Sequence, residues 1–262
     1  MRLYKHTPPL LRGFVVNIIS TSYGNDSKAL MQWAVETNLP DVTVCYIDTG
    51  WASEDWHKEI KLGEAFAKKA GFKVVRIKPV MQFEELMVHK KGFPNQRYQW
   101  CSGLLKGVPF LQWVDEVDPE AKAVVIIGKR REESRERAET PEFIEASDYH
   151  GGRKIWHPLF EHSEVERNDL LERAGFKILG HRSKECHPCT NANRYDFRSM
   201  GDFETKRLQK LEGKVNKTMF RPKRHAGAQG IVEVIKWAEY SPGQFSPEQE
   251  ELDLCTSGMC GI

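Results

Sequence analysis

Two stretches of the chain gather side chains that can do chemistry. The first is Ser20-Thr21-Ser22-Tyr23-Gly24-Asn25-Asp26-Ser27, which follows an apolar run at Val15, Val16, Ile18 and Ile19. Its hydroxyls are hydrogen-bond donors, and Gly24 lets the backbone approach a phosphate closely. If a helix starts here, its first backbone N–H groups are unpaired and its dipole favours an anion. Asp26 and Ser27 can cap that helix as well as serve a ligand. The structural alternative is an ordinary strand-to-helix turn. The second stretch is Cys186-His187-Pro188-Cys189, two thiols one turn apart with a proline stiffening the turn. Such a pair chelates a metal or works as a redox couple. No Walker A lysine follows the first stretch, so a P-loop NTPase is not indicated.

The elements needed to position these groups are legible. Val15–Ile19 reads as a buried parallel strand, and a helix follows from about Ser27 to Thr37. Val42–Ile47 is a second buried strand that runs into Asp48-Thr49-Gly50, at the end where open α/β sheets bind ligands. A helix over 53–70, a strand at Lys73–Ile77, helices over 81–92 and Val108–Val117, and a strand at Ala123–Ile127 continue the pattern. This order predicts a doubly wound parallel sheet. The fourth strand opens into Gly128-Lys129-Arg130-Arg131-Glu132-Glu133-Ser134-Arg135-Glu136-Arg137. A charge run of this kind is commonly a solvated face, but here it ends a buried strand, and arginine forks there can grip phosphate or sulfate. Lys154–Leu159 reads as a short edge strand, and Val165–Ala174, 191–212 and Ile231–Glu239 as helices. The expected division is an α/β domain over 1–190 and a helical, cysteine-bearing region over 191–262.

Composition bounds the function. The chain has 262 residues, 40% hydrophobic and 29% charged, with a net charge of +2, which points to no particular polyanionic partner. No apolar run is long enough to span a bilayer, and the first residues do not resemble a secretory signal, so a cytoplasmic enzyme is expected. Six cysteines outside a secretory context suggest metal or redox chemistry. Cys45, inside the second strand, reads as core, and His187 as solvent-facing. Lys214, Lys217, Arg221, Lys223 and Arg224 form a local basic patch.

Several blocks, in order, resemble the phosphoadenosine phosphosulfate (PAPS) reductase family within the PP-loop ATP pyrophosphatase (adenine nucleotide alpha-hydrolase-like) group. Ser20-x-Ser22-x-Gly24-x-Asp26-Ser27 is similar to the PP-loop, and Asp48-Thr49-Gly50 to the turn after the second strand. Cys101-Ser102 through Lys106 and Pro109 resembles the C-C-x-x-x-K-x-x-P block of adenylylsulfate reductases. Arg130-x-x-Glu133-Ser134-x-x-Arg137 resembles the family's R-x-x-E-S-x-x-R segment. Cys186-x-Pro188-Cys189-Thr190 resembles a C-x-P-C-T that helps hold a [4Fe–4S] cluster, and Cys260-Gly261-Ile262 a tail with a catalytic thiol. There are departures. Ser102 replaces the second cysteine of the tandem pair, Asp26-Ser27 is retained as in ATP-cleaving members, and Met259 stands where the reductases have Glu. These bring the chain nearer to the ATP-using, cluster-bearing sulfur-transfer branch, such as the DNA phosphorothioation PP-loop proteins.

The resemblance implies a set of roles. Ser20, Ser22, Gly24, Asp26 and Ser27 would hold the pyrophosphate of ATP or a related adenine nucleotide, with Mg²⁺. Asp48 would contact the nucleoside, and Gly50 is a further nucleotide-binding residue. Arg130, Arg137 and Lys106 would neutralise phosphate charge, with Asp26 and Lys106 in the catalytic set. Cys101, Cys186, Cys189 and Cys255 would hold a [4Fe–4S] cluster, with zinc as the alternative, and Cys260 would be the nucleophile. The expected activity is sulfur transfer to an adenylated acceptor, DNA or tRNA among the candidates, from a persulfide or sulfide donor. The alternatives are a sulfonucleotide reductase served by a thioredoxin-like reductant and a non-enzymatic nucleotide- and cluster-binding partner subunit. A homo-oligomer is also expected.

Overall fold

A computed structural model describes residues 16–220 and 227–239. The chain divides into two compact units. Among the described residues the first comprises 16–47, Lys58–Ile77 and Gly107–Ser183, and the second Asp48–His57, Lys78–Lys106, 184–220 and 227–239.

The first unit carries a six-stranded sheet. Its strands are β1 (Asn17–Thr21), β2 (Val42–Ile47), β3 (Lys73–Ile77), β4 (Val124–Ile127), β5 (Phe143–Ser147) and β6 (Arg153–Trp156). Their spatial order is β3-β2-β1-β4-β6-β5, parallel throughout except for β5 at the edge. The unit's helices are α1 (Asn25–Glu36), most of α2 (Trp56–Lys69), α5 (Val108–Val117), α6 (Arg135–Ala138) and α7 (Glu164–Arg173). One sheet face packs Ile18, Cys45, Val125 and Ile155 against Phe110 and Val114 of α5. On the opposite face the Trp33 ring of α1 meets Trp156 edge-on at 5.1 Å, and α7 packs beside α1. Apolar residues on both faces of the parallel strands are what two helical layers require. The sheet is therefore doubly wound, as the strand–helix order predicts.

Lys154–Leu159 is not an edge strand. β6 lies between β4 and β5, because Phe143–Ser147 supplies an antiparallel strand outside it. Buried at the root of this edge is Arg153, 1% exposed, with Nε 2.7 Å from Asp118 Oδ2 and Nη1 2.9 Å from Asp115 Oδ1.

The second unit is helical. It holds α3 (Phe83–Lys90), α4 (Trp100–Ser102) with a π-type turn over Gly103–Gly107 whose last residue is in the first unit, α8 (Arg194–Arg198), α9 (Asp202–Val215) and α10 (Ile231–Glu239). The expected helix over 191–212 is thus two. Asn193 caps α8 through its side chain, and the chain restarts at Gly201, the N-cap of α9. The core of this unit runs through Trp51, Phe83, Phe197, Leu208, Leu211 and Val234. Its Glu212 carboxylate accepts from Met219 N and Ile231 N, so one side chain holds both ends of the 219–231 connection.

Candidate functional site: a phosphate cradle and a thiol loop

In the first unit, β1 and β4 are neighbours from which the chain winds outward in opposite directions. This is the topological switch point, and the crevice beyond the strand ends there is where open α/β sheets take ligands. The loops leaving β1 and β4 carry the expected residues. After β1, Gly24 N donates to Ser22 Oγ at 3.3 Å, and Tyr23, at φ 58°, turns the backbone. The N-cap of α1 is Gly24, without a side-chain cap. Asp26 and Ser27 do not cap. Ser27 Oγ donates back to Gly24 O at 3.1 Å, while Asp26 turns to the loop from β4. Asn25 exchanges two hydrogen bonds with the backbone of Leu179, which fastens the first residue of α1.

Gly128 explains how the two loops approach. A Cβ built on it would stand 2.7 Å from Asp26 O and 2.9 Å from Asp26 C, both backbone atoms. Only glycine lets β4 end this close to α1. Arg130 then reaches Asp26, Nε to Oδ1 at 2.6 Å, and is itself only 6% exposed. Arg167 on α7 adds a second guanidinium, Nη1 at 3.7 Å from the same oxygen. Arg137 pairs with Glu133. Burial, with Arg130 adding to it against the opposing pull of Asp26, holds the Arg137 guanidinium below its ordinary value. Burial and then Arg137 do the same to the Lys129 ammonium. A crowd of cations, two of which resist their own charge, is electrostatically suited to an anion with several negative oxygens.

Of the residues expected to meet a nucleotide, the structure brings Gly24, Asp26, Ser27, Arg130 and Arg137 to this end of the sheet, with Ser22 in the turn and Ser20 at the end of β1. Asp48 and Gly50 follow β2 directly in the chain. Asp48 Oδ1 accepts from Gly50 N at 3.1 Å, and the φ of +71° at Gly50 favours glycine there, with the Gln82 side chain against it. Arg167 and Gly128 were not among the expected residues. Gly128 had a signal, a glycine closing a buried apolar strand; Arg167 had none, being one charge among many on α7.

Lys106 stands with the thiols of the second unit. Its Nζ lies 2.5 Å from Glu185 Oε1. Burial pulls its ammonium down, but Glu185, Cys186 and Cys189 outweigh that and leave it raised. Burial and then Cys189 push the Cys101 thiol up. The Cys186 thiol is pushed up in the same way, by burial first and then Cys189, with Cys101 adding and Lys106 opposing. Cys101, Cys186 and Cys189 therefore sit within one another's fields, beside a cation. Among the described residues no group of three or more His, Cys, Asp or Glu closes into a metal site as it stands. The donor chemistry nonetheless fits a thiolate-bound metal, since a cation at the centre would favour ionised thiols that otherwise oppose each other. Cys255 and Cys260 lie outside the described residues, as do Arg221, Lys223 and Arg224. Cys45 is core, 1% exposed, its thiol pushed up to about 12 by burial. His187 is not solvent-facing: it is 4% exposed, because its loop is folded against Trp51.

No helix among the described residues is long and apolar enough to cross a membrane. Two curated relatives are similar in sequence. One, a protein of Methanocaldococcus jannaschii, is 28% identical over 121 residues, covering 46% of this chain but only 24% of the relative. The other, a 37.8 kDa protein in the gpa 5' region of Escherichia phage 186, is 26% identical over 237 residues, covering 70% of this chain and 69% of the relative. Among solved structures, the PAPS reductase of Candida auris in complex with phosphate aligns at 16% identity and a TM-score of 0.46, over 63% of this chain and 75% of that one. The U34-tRNA thiolase of Methanococcus maripaludis with its [4Fe–4S] cluster aligns at 14% and 0.44, over 88% and 75%. The family model described as the phosphoadenosine phosphosulfate reductase domain matches residues 16–208, which is most of the chain. With that match and its doubly wound sheet, the chain belongs to the PAPS reductase family.

Proposed function

We propose that the protein is an enzyme that binds ATP through the loops after β1 and β4 and uses its thiols for sulfur transfer. The observation that carries this reading is the cradle itself: Gly128 seated on the start of α1, with Arg130 on Asp26 and Arg137 and Lys129 crowded nearby. Gly24 N and Ser27 Oγ would exchange their bonds within the turn for bonds to the polyphosphate, with Ser22 beside them, and the arginines supply charge as it builds on the leaving pyrophosphate. Asp26 offers the carboxylate through which Mg²⁺ would bind. The family resemblance would assign Asp48 to the nucleoside and Gly50 to the nucleotide. An acceptor oxygen is adenylated with loss of pyrophosphate, and a sulfur nucleophile then displaces AMP.

Cys101, Cys186 and Cys189, with Cys255 as fourth ligand, would hold a [4Fe–4S] cluster, with zinc as the alternative. A bound cluster would supply an iron at which sulfide or persulfide sulfur can be held. Lys106 offsets the negative charge of the thiolates. Cys260 is the candidate nucleophile, and the acceptor, DNA or tRNA, would meet the basic patch that begins at Lys214 and Lys217. A sulfonucleotide reductase, served by a thioredoxin-like reductant, is the second reading, favoured by the terminal Cys260-Gly261-Ile262.

Products separate the two. Protein purified without oxygen is incubated with a dithiol reductant, sulfide and DNA or tRNA as acceptor, and in turn with ATP, adenylylsulfate or PAPS. Pyrophosphate and AMP from ATP support the first reading. Sulfite from either sulfonucleotide, with ATP untouched, replaces it by the second.

A further inference from the structure

The thiol loop of the second unit is laced to another loop by a set of nonlocal hydrogen bonds. Ser53 N donates to Lys184 O at 3.0 Å, and His187 N to Trp51 O at 2.8 Å. Trp51 Nε1 donates to Pro188 O at 3.1 Å. The Trp51 indole is fully buried and stacked on Phe83, centroids 4.4 Å apart and planes 19° from parallel.

One side chain from α9 closes this lacing. Arg207 lays its guanidinium over the Trp51 ring, 3.9 Å from the centroid. Its Nη2 points at three carbonyls at once, Trp51 O at 3.3 Å, Ala52 O at 3.0 Å and His187 O at 3.0 Å. Two of these belong to the 48–53 turn and the third lies between the two cysteines of the thiol loop. Arg207 Nε is buried with no hydrogen-bond partner among the described residues. Burial holds the guanidinium below its ordinary value, against the pull of Glu84, Glu204 and Cys186. Arginine on a helix facing solvent would avoid both penalties. It tolerates them here because its planar fork can stack on an indole and collect carbonyls in the same plane, which lysine cannot do.

We infer that Arg207 is the positioning residue of the Cys186–Cys189 loop: by clamping the His187 carbonyl onto the Trp51–Ala52 turn, it fixes where the two thiols stand. Cys45 lies in β2 and does not depend on the clamp, while Cys101 approaches from α4 and depends on it only through its neighbour Cys189. Loss of the clamp frees one loop and not the whole protein.

The test is thiol-by-thiol alkylation. The full chain, purified without oxygen, is pulsed with N-ethylmaleimide, and each cysteine is followed by mass spectrometry of its peptide. Arg207→Met is expected to speed modification of Cys186 and Cys189 about tenfold, as a local opening held by a few hydrogen bonds would, with a smaller change at Cys101 and none at Cys45. Arg207→Lys keeps the charge but not the stack or the fork, and is expected to fail as a rescue. Leu211→Ala, in the same helix and the same core, lowers the melting temperature without singling out the two loop thiols. Trp51→Phe keeps the aromatic stack and loses the bond to Pro188, so it shows the same selective pattern at smaller amplitude, and it decides the matter if Arg207→Met does not fold. Rates at Cys186 and Cys189 within roughly twofold of wild type, a parallel rise at Cys45, Cys101, Cys186 and Cys189, or full rescue by lysine overturns the inference.

Discussion

Arg130 Nε stands 2.6 Å from Asp26 Oδ1, a pair formed across 104 residues of sequence. It ties the loop leaving β4 to the first turn of α1, the two sides of the switch point. A nearly buried guanidinium held this way is oriented in advance, so little side-chain freedom would be lost to the phosphate proposed to bind there.

Removing that guanidinium should weaken nucleotide binding. Arg130→Met takes away a charge-assisted hydrogen-bond donor, and ATP affinity should fall about 10- to 100-fold at 25 °C. Arg130→Lys should recover only part of the loss, because an ammonium cannot offer two parallel donors. Calorimetric titration of both variants checks this, and wild-type affinity in Arg130→Met would remove the residue from the site.

Gly128→Ala should damage the cradle without touching a polar group. The new methyl would meet backbone atoms of Asp26 that cannot swing aside. The loops must separate, at a cost of about 1–3 kcal/mol in stability from overpacking. Urea denaturation measures that cost, and ATP affinity should fall with it. A variant as stable as wild type would mean that the two loops do not approach as described.

Arg153 is a structural counterpart. Arg153→Met leaves Asp118, whose side chain is 9% exposed, without its cation, although the carboxylate still accepts from Lys122 N and Ala123 N. Loss of one partner of a buried pair costs about 3–5 kcal/mol, and denaturation midpoints should show it. Asp118→Asn in the same background should recover part of that loss by removing the stranded charge.

His150 gives a pH dependence. Burial, and after it His157 and Arg153, lower its pKa from 6.5 to about 4. The unfolded chain takes up this proton near pH 6.5, and the folded chain only near pH 4. The stabilisation is therefore complete above about pH 6.5 and is lost as the pH falls toward 4, where the unfolded state binds more protons. His150→Phe keeps a ring against Phe110 and should flatten the stability–pH slope in that window. An unchanged slope would place the titration elsewhere.

Much of this was legible in local sequence and some was not. β2, β3, α5 and α10 fall where apolar runs and periodicity put them, since burial on a sheet or helix face writes itself into spacing. β5 escaped because Phe143–Ser147 is short, carries Glu145 and pairs on one side only. Its absence from the reading made β6 look like an edge. The turn from Ser20 to Ser27 stood out because glycine among hydroxyls has few other uses, yet the pairing of Asp26 with Arg130 and Arg167 in place of a cap depends on α7 and on the loop from β4. His187 was misjudged for the same reason: polarity in a loop says nothing about which distant loop folds over it. The Arg207 clamp is made of backbone carbonyls, which every residue has, and so leaves no mark in the sequence at all.

The central claim is that the loops after β1 and β4 bind the polyphosphate of ATP. Equilibrium titration of ATP with Mg²⁺ into the wild-type protein and into Asp26→Ala and Ser27→Ala tests it most directly, with circular dichroism to verify that all three are folded. Binding by the wild type, and a loss of at least about tenfold in both folded variants, is the predicted result. Equal affinity in all three proteins, or no ATP binding by folded wild-type protein, would contradict it.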